Sequence, residues 1–172
     1  MGDRTLPLLQ WLATQRPAPR VGVLICGHAR TPRVAPDAVA VQVTGCLTAE
    51  ELVLPAQLLA SGLAALEVVA CEVCPGEVRE QVAGWSRVLD GITLVPPSPR
   101  ASSLRRSGPA YRMAVSGPGT GPALSRRMLI GLGRQRPTGL DLSADEPARG
   151  LQALRRLQAE GRARGGRSSR PA

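Results

Sequence analysis

The 172-residue chain contains no phenylalanine and no lysine, and its aromatic residues are limited to two tryptophans and one tyrosine. A hydrophobic core must therefore consist mainly of Val, Leu, Ile and Ala. The chain has one histidine, and no obvious nucleophile stands beside it, so a Ser-His-Asp arrangement is not indicated. No run of about eighteen apolar residues occurs, which argues against a membrane span.

The absence of lysine makes arginine the only basic residue behind the formal charge of +9. Residues 1–97 contain seven Arg and nine acidic residues, whereas residues 98–172 contain fifteen Arg and four acidic residues. The excess positive charge therefore belongs to the C-terminal part. Because only Tyr111 accompanies these arginines, the stacking surface of single-strand binding proteins is missing, and we do not expect nucleic acid to be the partner.

The apolar segment LPLLQWLA (6–13) is too short to span a membrane, and it lacks the basic start and the small-residue cleavage site of a signal peptide. We therefore expect a cytoplasmic protein. In a reducing compartment, four cysteines indicate metal or redox chemistry before structural disulfides.

Four cysteines stand where short apolar runs end. The runs cover residues 21–26, 38–46 and 65–74, and their β-branched residues predict buried strands. The cysteines are Cys26, Cys46, Cys71 and Cys74. If the strands are parallel, their carboxyl ends meet at one edge of the sheet, which is where open α/β sheets bind ligands. The sequence therefore predicts that the four thiols share one site.

The cysteine-bearing domain is predicted over residues 19–97. Helical patterns follow the second and third strands, at residues 48–62 and 76–91, and ITLV (92–95) supplies a fourth strand. The segment 27–37 is too short and too rich in proline for a crossover helix, so we expect a loop there. The predicted fold is α/β, with a small, mostly parallel four-stranded sheet and two flanking helices.

Three further segments flank this domain. Residues 1–18 are expected to form an amphipathic N-terminal segment. Residues 98–145 are rich in Pro, Gly and Arg, and this composition is typical of a linker. Residues 146–172 are predicted to contain a short helix followed by a disordered basic tail.

The pair Cys71 and Cys74 has the C-x-x-C spacing, which lets two thiolates bind one metal or each other. Three interpretations of the cysteines stay open. The first is an iron–sulfur or zinc site ligated by Cys26, Cys46, Cys71 and Cys74. The second is a thiol–disulfide oxidoreductase in which Cys71 and Cys74 are catalytic. The third is a metal-free adaptor in which the cysteines are small buried hydrophobic residues.

The order of these units resembles that of a known family. A strand ending in Cys26, VTGC at 43–46, a helix, GLAALEVVACEVCPGE at 62–77 and a further helix are similar to the iron–sulfur domain of hydrogenase delta subunits. Those subunits associate with methyl-viologen-reducing hydrogenase and heterodisulfide reductase. The resemblance covers residues 21–95. It implies electron transfer through an iron–sulfur cluster, with 2Fe–2S as the favoured type, and the ligands that it implies are Cys26, Cys46, Cys71 and Cys74.

The resemblance also implies a redox partner protein, which carries flavin or iron–sulfur centres. We expect the basic C-terminal segment to dock on an acidic surface of that partner. Zinc is the alternative metal. An autonomous enzyme is the weaker class, because the sequence marks neither a nucleophilic triad nor paired carboxylates for acid–base chemistry.

Overall fold

A computed structural model describes residues 3–73, 75–96, 108–113 and 139–164. The helices are α1 (Leu6–Thr14), α2 (Val53–Ala60), α3 (Pro75–Val88) and α4 (Glu146–Ala159). The strands are β1 (Val21–Ile25), β2 (Ala38–Gln42), β3 (Ala65–Val69), β4 (Ile92–Val95) and β5 (Ala110–Arg112). None of the helices in these ranges has the length and apolar character needed to cross a bilayer.

The five strands form one parallel sheet in the order β4–β3–β1–β2–β5. β1 is the central strand, and Val21 pairs with Ala38 on one side and with Ala65 on the other. Along the sheet, β2 lies on one side of β1, whereas β3 and then β4 lie on the other side. The connection from β1 to β2 and the connection from β3 to β4 therefore run toward opposite edges of the sheet. Where connections diverge in this way, a crevice opens at the carboxyl ends of the strands, and ligands bind there.

The structure confirms the α/β class and the parallel sheet, but the described residues form five strands and four helices. The additional strand, β5, lies within the segment 98–145 that composition predicts to be linker. It pairs with β2, and its Tyr111 is buried with the ring centroid 5.0 Å from that of Trp11. A strand of three residues is too short to show an alternating pattern, so only its tertiary contacts reveal it.

Residues from all four helices contribute to one main hydrophobic core with the strand residues that face them. This core contains residues such as Leu9 of α1, Leu58 of α2, Trp85 of α3 and Leu157 of α4. A smaller cluster consists of Val23, Ile25, Val34, Ala38, Ala40 and Val69. Because successive strand residues point to opposite faces, this cluster marks the other face of the sheet. Cys26 and Cys71 belong to the main core.

The N-terminus is joined to α4 through Arg149, the largest fully buried side chain among the described residues. Its guanidinium forms an ion pair with Asp3 and donates to the carbonyl oxygen of Ala144 and, at 3.1 Å, to the hydroxyl of Thr5. One arginine of the basic C-terminal part is therefore a structural residue that fixes the first turn of the chain.

Candidate metal centre

Three of the four cysteines of the predicted site lie together at the carboxyl edge of the sheet. Cys26 follows β1, Cys46 follows β2 by a short turn, and Cys71 follows β3. Their sulfur atoms all lie within 4.8 Å of one another. Cys74 falls outside the described residues. Within the described ranges, no histidine or carboxylate belongs to this group, which we call the cysteine triad.

The sheet topology explains why three sequence-distant residues meet. β1 lies between β3 and β2, and neighbouring strands run roughly 5 Å apart. The pairing continues past the ends of the strands, because the N–H of Cys26 donates to Val69 at 3.1 Å and that of Gly27 donates to Gly45 at 2.8 Å. Cys26 is therefore fixed at the centre of the edge, with Cys71 on one side and Cys46 on the other.

The triad is mostly enclosed. Cys26 is fully buried and Cys71 is 3% exposed, whereas Cys46 is only partly buried. Cys46 precedes the short 3-10 turn Leu47–Ala49. The site therefore has two cysteines inside the main core and one partly buried cysteine packed against it, so the side of Cys46 is the least enclosed.

The sulfur of Cys26 has five polar neighbours, which are one carbonyl oxygen, two backbone N–H groups and two thiols. Its thiol lies 3.7 Å from the carbonyl oxygen of Gly45, to which it donates, and the backbone N–H groups of His28 and Leu47 donate to the sulfur. Burial raises the pKa of Cys26, and the thiols of Cys71 and Cys46 add to the increase, although the two N–H groups oppose it. These surroundings favour the protonated thiol over the thiolate, and a metal that bound at this sulfur would have to displace the proton.

Gly27 has no space for a side chain. A Cβ at this position would lie 2.6 Å from the carbonyl oxygen of Val43 and 2.8 Å from that of Gly45, and backbone atoms cannot rotate away. We expect Gly27→Ala to push the ends of β1 and β2 apart and to lower the free energy of unfolding by about 1–3 kcal/mol. Urea denaturation measures this loss.

Gly45→Ala is the matched control for this substitution, because a Cβ at Gly45 would have no atom within 4 Å. Its free energy of unfolding should stay within about 0.5 kcal/mol of the wild type. Equal losses in the two variants would show that the close approach at Gly27 does not hold the two strand ends together.

Sequence analysis missed two kinds of group at this site. The N–H groups of His28 and Leu47 belong to the backbone, so the residue type at these positions does not predict them. The second is Gln42, whose side chain contacts the loop after Cys26. The sequence does indicate this residue, because it is the single polar residue in the apolar run AVAVQV (38–43). A lone polar residue in a buried strand needs partners, and those partners lie in the loop.

Comparisons of the chain with protein-family models, with curated proteins and with solved structures found no match. They therefore neither support nor contradict the resemblance to hydrogenase delta subunits, which stays a prediction. The structure itself shows a cysteine triad that could hold a metal ion.

Proposed function

We propose that this protein is an electron-transfer component that holds an iron–sulfur cluster on Cys26, Cys46 and Cys71 and acts with a partner oxidoreductase. The observation that carries the proposal is the approach of three sulfurs to within 4.8 Å at the carboxyl edge of a parallel sheet. In the whole sequence, Cys74 is the one remaining cysteine, and its C-x-x-C spacing from Cys71 makes it the candidate fourth ligand.

The separation of the sulfurs suits thiolates that share a metal atom. Two thiolates on one tetrahedral ion, with metal–sulfur bonds of about 2.3 Å, lie about 3.8 Å apart. The triad is within 4.8 Å, so side-chain shifts of about 1 Å bring two sulfurs onto one metal atom. In a two-iron cluster the remaining thiolate would bind the second iron, and Cys46, which is partly exposed, is the least enclosed of the three for that role.

Two observations favour an iron–sulfur cluster over a structural zinc ion. The fold has an extended hydrophobic core of its own, so it does not need a metal to replace one. In addition, the N–H groups of His28 and Leu47 donate to the Cys26 sulfur. Hydrogen bonds to ligand sulfurs are a principal means by which proteins set the reduction potential of iron–sulfur clusters.

Two observations support a second protein as the source or acceptor of electrons. In the part of the chain that the structure describes, the triad is the only group of three or more potential metal ligands. A cluster there would exchange electrons with a centre in another protein. The arginine excess of residues 98–172 favours an acidic partner surface, because opposite charges accelerate association.

The dithiol oxidoreductase interpretation receives less support. It needs Cys71 as an attacking thiolate, and reactive cysteines are accessible to their substrates. Cys71 is 3% exposed and belongs to the main core. Such burial suits a metal site, because it would protect a cluster from solvent. It does not suit a catalytic thiol, because a protein disulfide could not reach the sulfur.

Anaerobic purification followed by analysis of iron, acid-labile sulfide and zinc tests the proposal. We expect iron and sulfide in equal amounts, together with a visible absorption band that dithionite bleaches. Replacing all four cysteines by serine gives the control, which should contain neither element. A colourless wild-type protein that contains no iron, sulfide or zinc after attempted reconstitution would overturn the metal site, and stoichiometric zinc without iron would overturn electron transfer.

The same four-serine variant tests the adaptor interpretation. A metal-free adaptor predicts that the variant still binds its partner, because the cysteines would serve only as small apolar residues. The electron-transfer proposal predicts that the variant passes no electrons to any acceptor, even where binding persists. Far-ultraviolet circular dichroism should show that the variant keeps its fold.

A further inference from the structure

We propose that Gln42 is a positioning residue of the metal centre, which orients the peptide group between Gly27 and His28 so that its N–H points at the sulfur of Cys26. This inference rests on the proposed function of the triad. Gln42 ends β2 and is 5% exposed. By strand alternation its side chain shares the sheet face of Ala40, opposite the main core, so Gln42 is not itself a ligand.

The side-chain amide of Gln42 uses its full hydrogen-bonding capacity. Its Nε2 donates to the carbonyl oxygens of Ala29 at 2.8 Å and Gly27 at 3.3 Å. Its Oε1 accepts from the hydroxyl of Thr31 at 3.1 Å and from Nε of Arg112 at 3.0 Å. A guanidinium can only donate and a carbonyl can only accept, so these partners fix which end of the amide faces the loop.

The bond to Gly27 acts on the sulfur through one rigid unit. In a trans peptide group the C=O and the N–H lie in one plane and point in opposite directions. The carbonyl oxygen of Gly27 receives the Gln42 amide, and the N–H of the same peptide group, which belongs to His28, donates to the Cys26 sulfur. Gln42 therefore holds one end of the peptide group whose other end contacts the ligand atom.

A hydrogen-bond donor to the Cys26 sulfur affects both metal affinity and the reduction potential of a bound cluster. The N–H of His28 stabilises the negative charge on the Cys26 sulfur, and its loss weakens metal binding and lowers the reduction potential of a cluster. Gln42→Glu isolates this effect, since glutamate has nearly the same size and still accepts from Thr31 and Arg112. It cannot donate to the two loop carbonyls, and its carboxylate repels them.

Gln57→Glu is the matched control. Gln57 is also buried, at 0% exposed, and its Nε2 donates at 3.2 Å to a backbone carbonyl, that of Glu146. It lies on α2, where it bonds to α4 and makes no bond to the loop after Cys26. The two variants thus make the same chemical change at two buried glutamines, and only one of these contacts the loop.

Two measurements on the full chain test the proposal. The first is the amide hydrogen exchange of residue 28 in the metal-free protein, followed by NMR. The second is titration with Co²⁺ alone, followed by the thiolate-to-cobalt charge-transfer band. We expect Gln42→Glu to speed exchange at residue 28 and to weaken Co²⁺ binding by about tenfold. Gln57→Glu should change neither.

Wild-type protection at residue 28 in Gln42→Glu would overturn the proposal, as would weakened Co²⁺ binding without faster exchange there. If Gln42→Glu does not fold, Gln42→Met keeps the volume, removes both donors and is judged by the same two measurements. Failure of the wild type to bind Co²⁺ would instead count against the proposed metal centre, and exchange at residue 28 would still decide the role of Gln42.

Discussion

Arg149→Met is expected to lower the free energy of unfolding by about 3 kcal/mol, because it breaks a buried ion pair. The guanidinium is fully buried, and it binds Asp3, Thr5 and the carbonyl oxygen of Ala144. Methionine fills much of the space of the side chain but offers no donor to these groups. We place the effect at the lower end for buried pairs because the Asp3 side chain is 26% exposed and regains water. Urea unfolding measures the loss.

The matched control lies on the same helix. Arg155 is an exposed residue of α4. Arg155→Met removes the same charge and inserts the same side chain, and it should change the free energy of unfolding by no more than about 0.5 kcal/mol. Similar losses in the two variants would show that charge or helix propensity, and not the buried contacts of Arg149, causes the effect.

Low pH should reduce the difference in the free energy of unfolding between wild type and Arg149→Met. Burial alone would raise the pKa of Asp3, but the hydrogen bond and charge of Arg149 and the N–H groups of Leu6 and Thr5 outweigh it, so the pKa lies below its ordinary value of 3.8. A carboxylate with a lowered pKa stabilises the folded state above that value and loses this contribution as the pH falls below it. We therefore expect the two stabilities to converge below pH 3.8.

The parts of the fold that sequence predicts are those with a repeating pattern. β1, β2 and β3 are mostly apolar strands of five residues, and α3 carries Val78, Val82 and Trp85 on one buried stripe. Parallel pairing of such runs places their carboxyl ends at one edge, which is why the approach of Cys26, Cys46 and Cys71 is foreseeable.

The remaining features depend on contacts between distant residues. Arg149 and Asp3 are 146 residues apart in the chain, so the burial of that arginine has no local sign. β5 exists through its pairing with β2 and the packing of Tyr111 on Trp11. The donors to the Cys26 sulfur are backbone groups that every residue except proline possesses. Residue types therefore indicate the candidate ligands, whereas the surroundings of these cysteines follow only from the assembled fold.

Cys26→Ser is expected to reduce the bound iron to the level of the variant in which all four cysteines are serine. Cys26 directly follows the central strand β1, between the two other cysteines, and it is fully buried. A serine hydroxyl can still donate to the carbonyl oxygen of Gly45, so the fold should persist while a soft thiolate ligand is lost. Iron and sulfide analysis after anaerobic reconstitution measures the effect, and circular dichroism monitors the fold.

Comparison with Cys46→Ser tests whether the loss of iron from Cys26→Ser depends on the burial of Cys26. Because Cys46 is partly exposed, a small external thiol such as 2-mercaptoethanol can reach the vacated ligand position, whereas the position of Cys26 is closed to it. We expect added thiol to restore iron binding to Cys46→Ser and to leave Cys26→Ser without iron. The dithiol interpretation predicts instead that both variants keep their activity, since it uses only Cys71 and Cys74. Iron retention by Cys26→Ser, or equal rescue of both variants, would contradict the placement of a cluster on the buried thiol at the end of β1.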